Sequence, residues 1–192
     1  MSNTRADILA AARGILMQHS LADLSMRRLA TEVGVRPNAL YWHFPNKQTL
    51  LAALSDDILS GVTAPPDDIS TRDALRYLAG GMRDSLLAVP DSAEIVSSSW
   101  ASGLASRTVV DQVGRVARAG GLTERDAAGT ATAICQLVIG LTIEEQTRAQ
   151  MERLGVLGPS GRDFATEFDD ALSVILDGAY ARSTTSASVA AD

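Results

Sequence analysis

Apolar residues recur at helical spacing along most of the chain, and no segment shows the strict alternation typical of a half-buried strand. Helix start signals divide this pattern into segments. Thr4 and Asp7 form a capping pair, and Ser25, Asn46 and Thr123 are good N-caps. The pattern therefore predicts an all-α protein.

The helices that follow the third are predicted from the same signals, with breaks at proline and glycine. We expect them over about 47–61, 71–88, 91–104, 107–119, 124–153 and 162–181, with a turn at 64–70 and a loop at 155–161. The last ten residues, 183–192, are predicted to be a disordered tail.

Residues 24–47 carry the most informative pattern, because two short helices meet there at a glycine turn. Ser25 opens the first helix, and Gly34 is suited to the left-handed position that ends it. Pro37 then stands at the first position of the second helix, which ends at Phe44 and Pro45. Two helices joined by such a turn predict a helix-turn-helix unit.

The second of these helices is predicted to bury Leu40 and Phe44 and to expose its other face. The side chains on or beside the exposed face are Asn38, Ala39, Tyr41 and Trp42. Basic or hydrogen-bonding groups surround them, namely Arg27, Arg28, Arg36, His43 and Lys47. Short groups for base edges beside cations for phosphates favour a DNA major groove. A surface helix with a partly packed Trp–Tyr pair, or an aromatic anchor for a protein partner, remains the alternative.

Residues 4–54, with the segment LYWHFPNK at 40–47, resemble the DNA-binding domain of the TetR family of transcriptional repressors. Residues 120–146 are similar to the penultimate long helix of its tetracycline-repressor branch. The resemblance implies a helix-turn-helix domain over 1–47 and a helical effector-binding and dimerisation domain over 48–182. It also implies a repressor that binds a double-stranded, palindromic DNA operator and is released by a small molecule. Regulation without a ligand remains an alternative.

The long helix predicted at 124–153 contains a stretch, 133–143, that is apolar on every side except at Gln136 and Thr142. A helix of that kind is buried all round, which favours a homodimer with an intersubunit four-helix bundle. The residues predicted at this interface are Leu137, Gly140, Leu141, Phe164, Phe168 and Leu172. Such a dimer would place the second helices of its two helix-turn-helix units about 34–36 Å apart, in successive major grooves. A buried central helix in a monomer is the alternative.

The family resemblance implies an effector site formed by the middle helices. The candidate residues for it are Met82, Leu86, Trp100, Leu104, Arg107, Gln136 and Glu144. Glu144 matches an acidic residue of the tetracycline-repressor branch, but the histidines that serve the magnesium–drug complex there have no counterpart. The chain has histidines only at His19 and His43. We therefore expect no metal and no cofactor, and an effector that is largely apolar, or none.

Composition and charge favour a cytoplasmic DNA-binding protein over an enzyme or a membrane protein. The first 50 residues hold six Lys/Arg against three Asp/Glu, while the remainder holds eleven against twenty, which gives the net charge of −6. The basic part coincides with the predicted DNA-binding residues. The single cysteine excludes an internal disulfide, and the expected absence of a signal peptide or a long apolar span predicts a cytoplasmic protein without a membrane partner. Cys135 lies in an apolar segment and neither histidine has an obvious catalytic partner, so no enzyme is expected.

Overall fold

The structure is a computed structural model that describes residues 4–189. Within that range the chain forms nine α-helices and no strand, which confirms the all-α prediction. The helices are α1 Arg5–Gln18, α2 Met26–Val33, α3 Pro37–Tyr41, α4 Lys47–Leu59, α5 Thr71–Leu87, α6 Ser92–Ala101, α7 Thr108–Ala119, α8 Glu124–Arg153 and α9 Phe164–Val189.

Side-chain caps begin four of the helices at the predicted residues. The Thr4 hydroxyl accepts from the Asp7 N–H at 3.2 Å, and the Asp7 carboxylate accepts from the Thr4 N–H at 2.8 Å. The hydrogen bonds from Thr4 hold the pKa of Asp7 below its usual range. A reciprocal cap also opens α4 at Asn46, and single caps open α2 at Ser25 and α8 at Thr123. Each cap satisfies amide groups that a helix start leaves without a partner.

Packing divides the chain into two units. The first unit comprises Met1–Gly61 and Ser85–Ser106, and so contains α1 to α4 together with α6. Within it α1 packs against α2 and α4, and α4 packs against α6. Its core is built from large side chains that are at most 2% exposed, among them Ile8, Leu16, Leu24, Leu29, Leu40, Phe44, Leu50, Leu54, Ile95 and Val96. Burying one such side chain contributes about 1.5–3 kcal/mol, so this core holds the short helices α2 and α3 in place.

The second unit comprises Val62–Asp84 and Arg107–Asp192, and its central element is α8, which packs against both α7 and α9. A polar link stabilises it inside the unit. The guanidinium of Arg83, whose side chain is only 12% exposed, donates to Glu145 at 2.7 Å. The same guanidinium lies 5.5 Å from the centre of the Phe168 ring. The ion pair and the ring together join α5, α8 and α9.

The long helix α8 corrects one expectation from the sequence. It contains an 18-residue window with a mean hydropathy of 1.4, long and apolar enough by composition alone to cross a membrane. The expectation that the chain has no long apolar span is therefore wrong. About 44% of that window is buried inside the structure, where α8 packs against α7 and α9. A helix that is apolar on most sides is typical of a protein core as well as of a membrane.

The end of α3 also differs from its prediction. The helix α3 ends at Tyr41, one turn earlier than expected, because the Leu40 carbonyl accepts from the N–H groups of both His43 and Phe44 at 2.9 Å. The backbone of α9 continues to Val189, the disordered tail over 183–192 stays a prediction, and 190–192 lie outside the described residues. The first packing unit includes α4 and α6, and the predicted domain boundary at 47/48 stays a prediction.

Candidate nucleic-acid interface

The turn between α2 and α3 has the geometry that its glycine predicts. Gly34 adopts the left-handed conformation, with φ 74° and ψ 31°. The Val35 N–H donates to the Ala30 carbonyl at 2.9 Å, as in a Schellman motif. Pro37 follows at the first position of α3, where its missing N–H costs no hydrogen bond. These contacts set the angle at which α3 leaves α2.

The reading helix, which we define as α3 together with Trp42, buries one face and exposes the other. Leu40 is 1% exposed and Phe44 is fully buried in the first unit. Trp42, by contrast, is 90% exposed, and Tyr41 is 46% exposed. Asn38 and Ala39 are exposed as well. The predicted orientation of this helix is therefore confirmed, and a large aromatic surface stands in solvent.

The basic residues predicted around the reading helix all lie in the same unit, but they are not equally available. Arg27, Arg36 and His43 are exposed. Arg28 lies 3.6 Å from the Asp23 carboxylate. A hydrogen bond from Ser20, and to a lesser extent the Arg28 cation, holds the pKa of Asp23 below its usual range. Lys47 is half-buried. Its ammonium donates to the Leu21 carbonyl at 3.4 Å, so Lys47 also stabilises the fold of the first unit.

One residue beside the reading helix was missed by the sequence analysis. The guanidinium of Arg5 lies 4.5 Å from the centre of the Phe44 ring and donates to the His43 carbonyl at 3.5 Å. Arg5 and His43 also line a cavity of about 270 Å³ in the first unit. The two residues are 38 positions apart, so no local pattern could bring them together. In the sequence, only the positive charge of Arg5 suggests a residue that could lie near DNA.

The chain matches two family models. The model of bacterial regulatory proteins of the tetR family matches residues 8–54, and that of the tetracyclin repressor-like C-terminal domain matches residues 64–157. A curated relative, the class A tetracycline repressor protein from transposon 1721 of Escherichia coli, is 30% identical over 190 residues, which cover 89% of this chain and 88% of the relative. This chain belongs to the TetR family.

Solved structures agree with this assignment. The crystal structure of Mycobacterium smegmatis BioQ is 42% identical, with a TM-score of 0.85, and the match covers 93% of this chain and 98% of BioQ. A crystal structure of BioQ with its double-stranded DNA operator is 39% identical, with a TM-score of 0.78 over 92% of this chain and 97% of that one. This TetR-family protein is thus a DNA-binding transcriptional repressor and not an enzyme.

The single cysteine of this TetR-family protein lies in the core of the second unit. Cys135 is 1% exposed on α8, and burial raises the pKa of its thiol to about 12. A thiol with so high a pKa is almost entirely protonated at neutral pH and is a poor nucleophile. The thiol of Cys135 therefore serves as packing in the core.

The candidate effector residues fall in both packing units. Three are buried: Met82, Leu86 and Trp100. The indole of Trp100 donates to the Ser106 carbonyl at 2.9 Å, which ties α6 to the segment that follows it. The other four, Leu104, Arg107, Gln136 and Glu144, are exposed.

Glu144, which is predicted to contact the effector, pairs with a cation of its own subunit. Its carboxylate accepts from the Arg162 guanidinium at 2.7 Å, and the same guanidinium pairs with Glu167. Glu144 is therefore part of a surface ion-pair network that joins α8 to the start of α9. The structure assigns it a partner within its own chain.

The predicted dimer-interface residues separate into two groups. Leu137 and Leu141 are half-buried and Gly140 is exposed on α8, so this side of the helix has surface to offer a second subunit. The predicted interface residues of α9, Phe164, Phe168 and Leu172, are only 9%, 6% and 1% exposed in their own subunit. They are buried within their own subunit, where the Phe168 ring lies 5.5 Å from the Arg83 guanidinium of α5. Val174, 72% exposed, lies on the open side of α9 instead.

Proposed function

We propose that this TetR-family repressor binds a palindromic operator as a homodimer and that a small molecule releases it. The observation that carries the DNA-binding part is the exposed pair Tyr41 and Trp42 beside the buried anchors Leu40 and Phe44. A rigid helix with an aromatic and polar face needs a partner, and a flanking set of cations favours a phosphate backbone. The similarity to BioQ, crystallised with its operator, supports the same partner.

The outward side chains of the reading helix divide into two roles in this proposal. Asn38 and Ala39 face base edges, where an amide pairs with adenine and a methyl group contacts thymine. Tyr41, Trp42 and His43 contact sugar and phosphate around them. The phosphate contacts further out come from the four basic residues Arg27, Arg28, Arg36 and Lys47.

The DNA-binding proposal is tested by selecting duplexes from a random library with the purified protein. We expect enrichment of an inverted repeat and binding that weakens steeply as salt rises, because each phosphate contact releases counterions. A protein that enriches no sequence would contradict this proposal. An aromatic anchor for a protein partner, the alternative, predicts binding with little dependence on salt.

A dimer interface through α8 and α9 is supported by the open faces of both helices. A groove of about 400 Å³ runs between them, lined by Gly129 and Ala133 from α8 and by Val174 and Gly178 from α9. A Cβ added at either glycine would meet no atom within 4 Å, so another helix can approach closely there. Small residues and an exposed valine on adjacent helices fit the four-helix packing of two subunits.

The dimer is tested with two matched valine substitutions. Val174→Arg places a charge on the open face of α9, whereas Val156→Arg places the same charge at a site of similar exposure, 67%, in the loop after α8. We expect light scattering to give a monomer mass for Val174→Arg at micromolar concentration. Val156→Arg and the wild type should give twice that mass. Equal masses for all three proteins would contradict the proposed interface.

The effector in this proposal is a small, largely apolar molecule that needs no metal ion, and the protein acts in the bacterial cytoplasm. The curated relative is named a tetracycline repressor. Among the described residues, no cluster of three His, Cys, Asp or Glu side chains can hold a metal ion. Magnesium–tetracycline is therefore the compound that we expect not to release the protein from its operator. We expect that it leaves operator binding unchanged in a gel-shift assay; release that depends on Mg²⁺ would contradict this part of the proposal.

A further inference from the structure

One residue at the start of α6 has an unusual backbone conformation. Among residues 4–189, Asp91 is the one non-glycine residue with a positive φ, at φ 60° and ψ 5°. For a residue with a Cβ this conformation costs about 1–2 kcal/mol, although aspartate tolerates it better than most. Asp91 occupies the N-cap of α6, yet its side chain makes no capping hydrogen bond. Its carboxylate instead accepts a hydrogen bond from a residue outside α6.

The carboxylate of Asp91 binds the turn that precedes the helix-turn-helix. Its Oδ2 accepts from the Leu21 N–H at 2.6 Å, in a partly buried contact between residues 70 positions apart. On the other side of the same residue, the Leu21 carbonyl accepts from the Lys47 ammonium at 3.4 Å. Hydrogen bonds to charged groups are shorter and stronger than neutral ones. We call this set, Asp91 and Lys47 on the backbone of Leu21, the Leu21 clamp.

The clamped residue lies directly before the DNA-binding helices. The Leu21 carbonyl also accepts from the Leu24 N–H at 3.2 Å, which closes the turn between α1 and α2. Leu24 is fully buried, and the next residue, Ser25, caps α2. Any shift of Leu21 therefore moves the first residue of α2, and α2 carries the reading helix through the rigid Gly34 turn.

We propose that Asp91 is a positioning residue for DNA recognition: through the Leu21 clamp it ties the start of α6 to the α1–α2 turn and so sets the placement of α2 and the reading helix. Lys47 completes the clamp from the start of α4, in addition to any phosphate that it contacts. The strained backbone at position 91 is then explained, since glycine would adopt φ 60° at no cost but could not supply the carboxylate.

The clamp has a distinct effect on binding, because sequence recognition depends on geometry and non-specific binding does not. Base-edge hydrogen bonds need the reading helix at a fixed position in the groove, whereas attraction to phosphates depends on charge alone. Loss of the clamp should therefore weaken binding to the selected operator and leave binding to a random duplex nearly unchanged. This inference rests on the proposed DNA-binding role of α3.

The test uses three variants of the full chain. Asp91→Gly removes the carboxylate but adopts the left-handed backbone freely, so it deletes the clamp without added strain. Asp91→Asn keeps an acceptor oxygen and tolerates the same backbone conformation. Asp67→Gly, in the exposed turn before α5, is the matched control for an aspartate-to-glycine change. The probes are the duplex that the wild-type protein enriches and a random duplex of equal length.

We expect Asp91→Gly to bind the enriched duplex about tenfold more weakly, which corresponds to about 1.4 kcal/mol, with unchanged affinity for the random duplex and an unchanged salt slope. Asp91→Asn and Asp67→Gly should stay within about threefold of wild type. Wild-type affinity of Asp91→Gly for the enriched duplex would overturn the proposal. So would an equal loss on both duplexes together with a loss of helical circular dichroism, because that result describes unfolding. If the wild type enriches no duplex, the proposed DNA-binding function fails, and the clamp proposal fails with it.

Discussion

The two tryptophans of the chain allow fold and DNA binding to be separated in one experiment. Trp42 is 90% exposed on the reading helix, whereas Trp100 is 7% exposed in α6 and its indole donates to the Ser106 carbonyl. Replacing each with alanine removes the same side chain from opposite environments. The structure therefore predicts that the Trp100 variant loses stability, whereas the Trp42 variant loses affinity for DNA.

The expected magnitudes follow from burial. Truncating a buried tryptophan costs about 3–5 kcal/mol, and at roughly 2–4 °C per kcal/mol for a chain of this size the midpoint of Trp100→Ala should fall by about 6–20 °C. Trp42→Ala removes little buried area, so its stability should change by about 0.5 kcal/mol or less. Its affinity for the operator should fall by about 1–3 kcal/mol, or roughly 5- to 150-fold, because the interface loses an aromatic contact.

The assays are thermal unfolding followed by circular dichroism and operator binding measured well below the unfolding midpoint of each variant. Trp100→Ala should have a lowered stability with little change in operator affinity. Trp42→Ala should have a lowered operator affinity with little change in stability. Equal destabilisation by Trp42→Ala and Trp100→Ala would contradict the different burial of the two side chains. Unchanged operator affinity of Trp42→Ala would contradict its proposed contact with DNA.

Three further predictions concern single residues. Arg27→Ala should weaken binding to every duplex and lower the slope of log affinity against log salt by about one, whereas an unchanged slope would exclude a phosphate contact. Asn38→Ala should relax the preference at one base pair by roughly 1–3 kcal/mol, which repeated selection from random duplexes would detect; the same motif as wild type would disprove this role. Because the thiol of Cys135 has a pKa of about 12 and lies in the core, it should react with a thiol reagent at pH 8 only after denaturation, and fast labelling of the native protein would contradict its burial.

Much of the local structure could be predicted from the sequence because the signals lie within a few residues of one another. The side chains of Thr4, Ser25 and Asn46 each accept from the backbone N–H three positions later, and all three begin helices as expected. The outward orientation of Trp42 follows from the period of the α-helix once Leu40 is placed in the core.

Contacts between distant segments could not be predicted in the same way. Helical period identifies the stripe of Phe168 and Leu172 on α9 but does not say whether that stripe meets its own subunit or a partner. Nothing in the local pattern around Asp91 or Leu21 indicates that the carboxylate of one binds the N–H of the other. Such contacts depend on how whole helices pack, and the sequence pattern of one helix does not contain that information.

In the proposed DNA-binding role, the exposed indole of Trp42 lies in solvent until a duplex covers it. Trp100→Phe leaves Trp42 as the one indole of the chain, so fluorescence quenching by acrylamide reports on that side chain alone. We expect strong quenching in the free protein, a marked fall in the quenching constant when the selected operator is bound, and recovery in high salt. An equal quenching constant in the free and saturated protein would contradict that role.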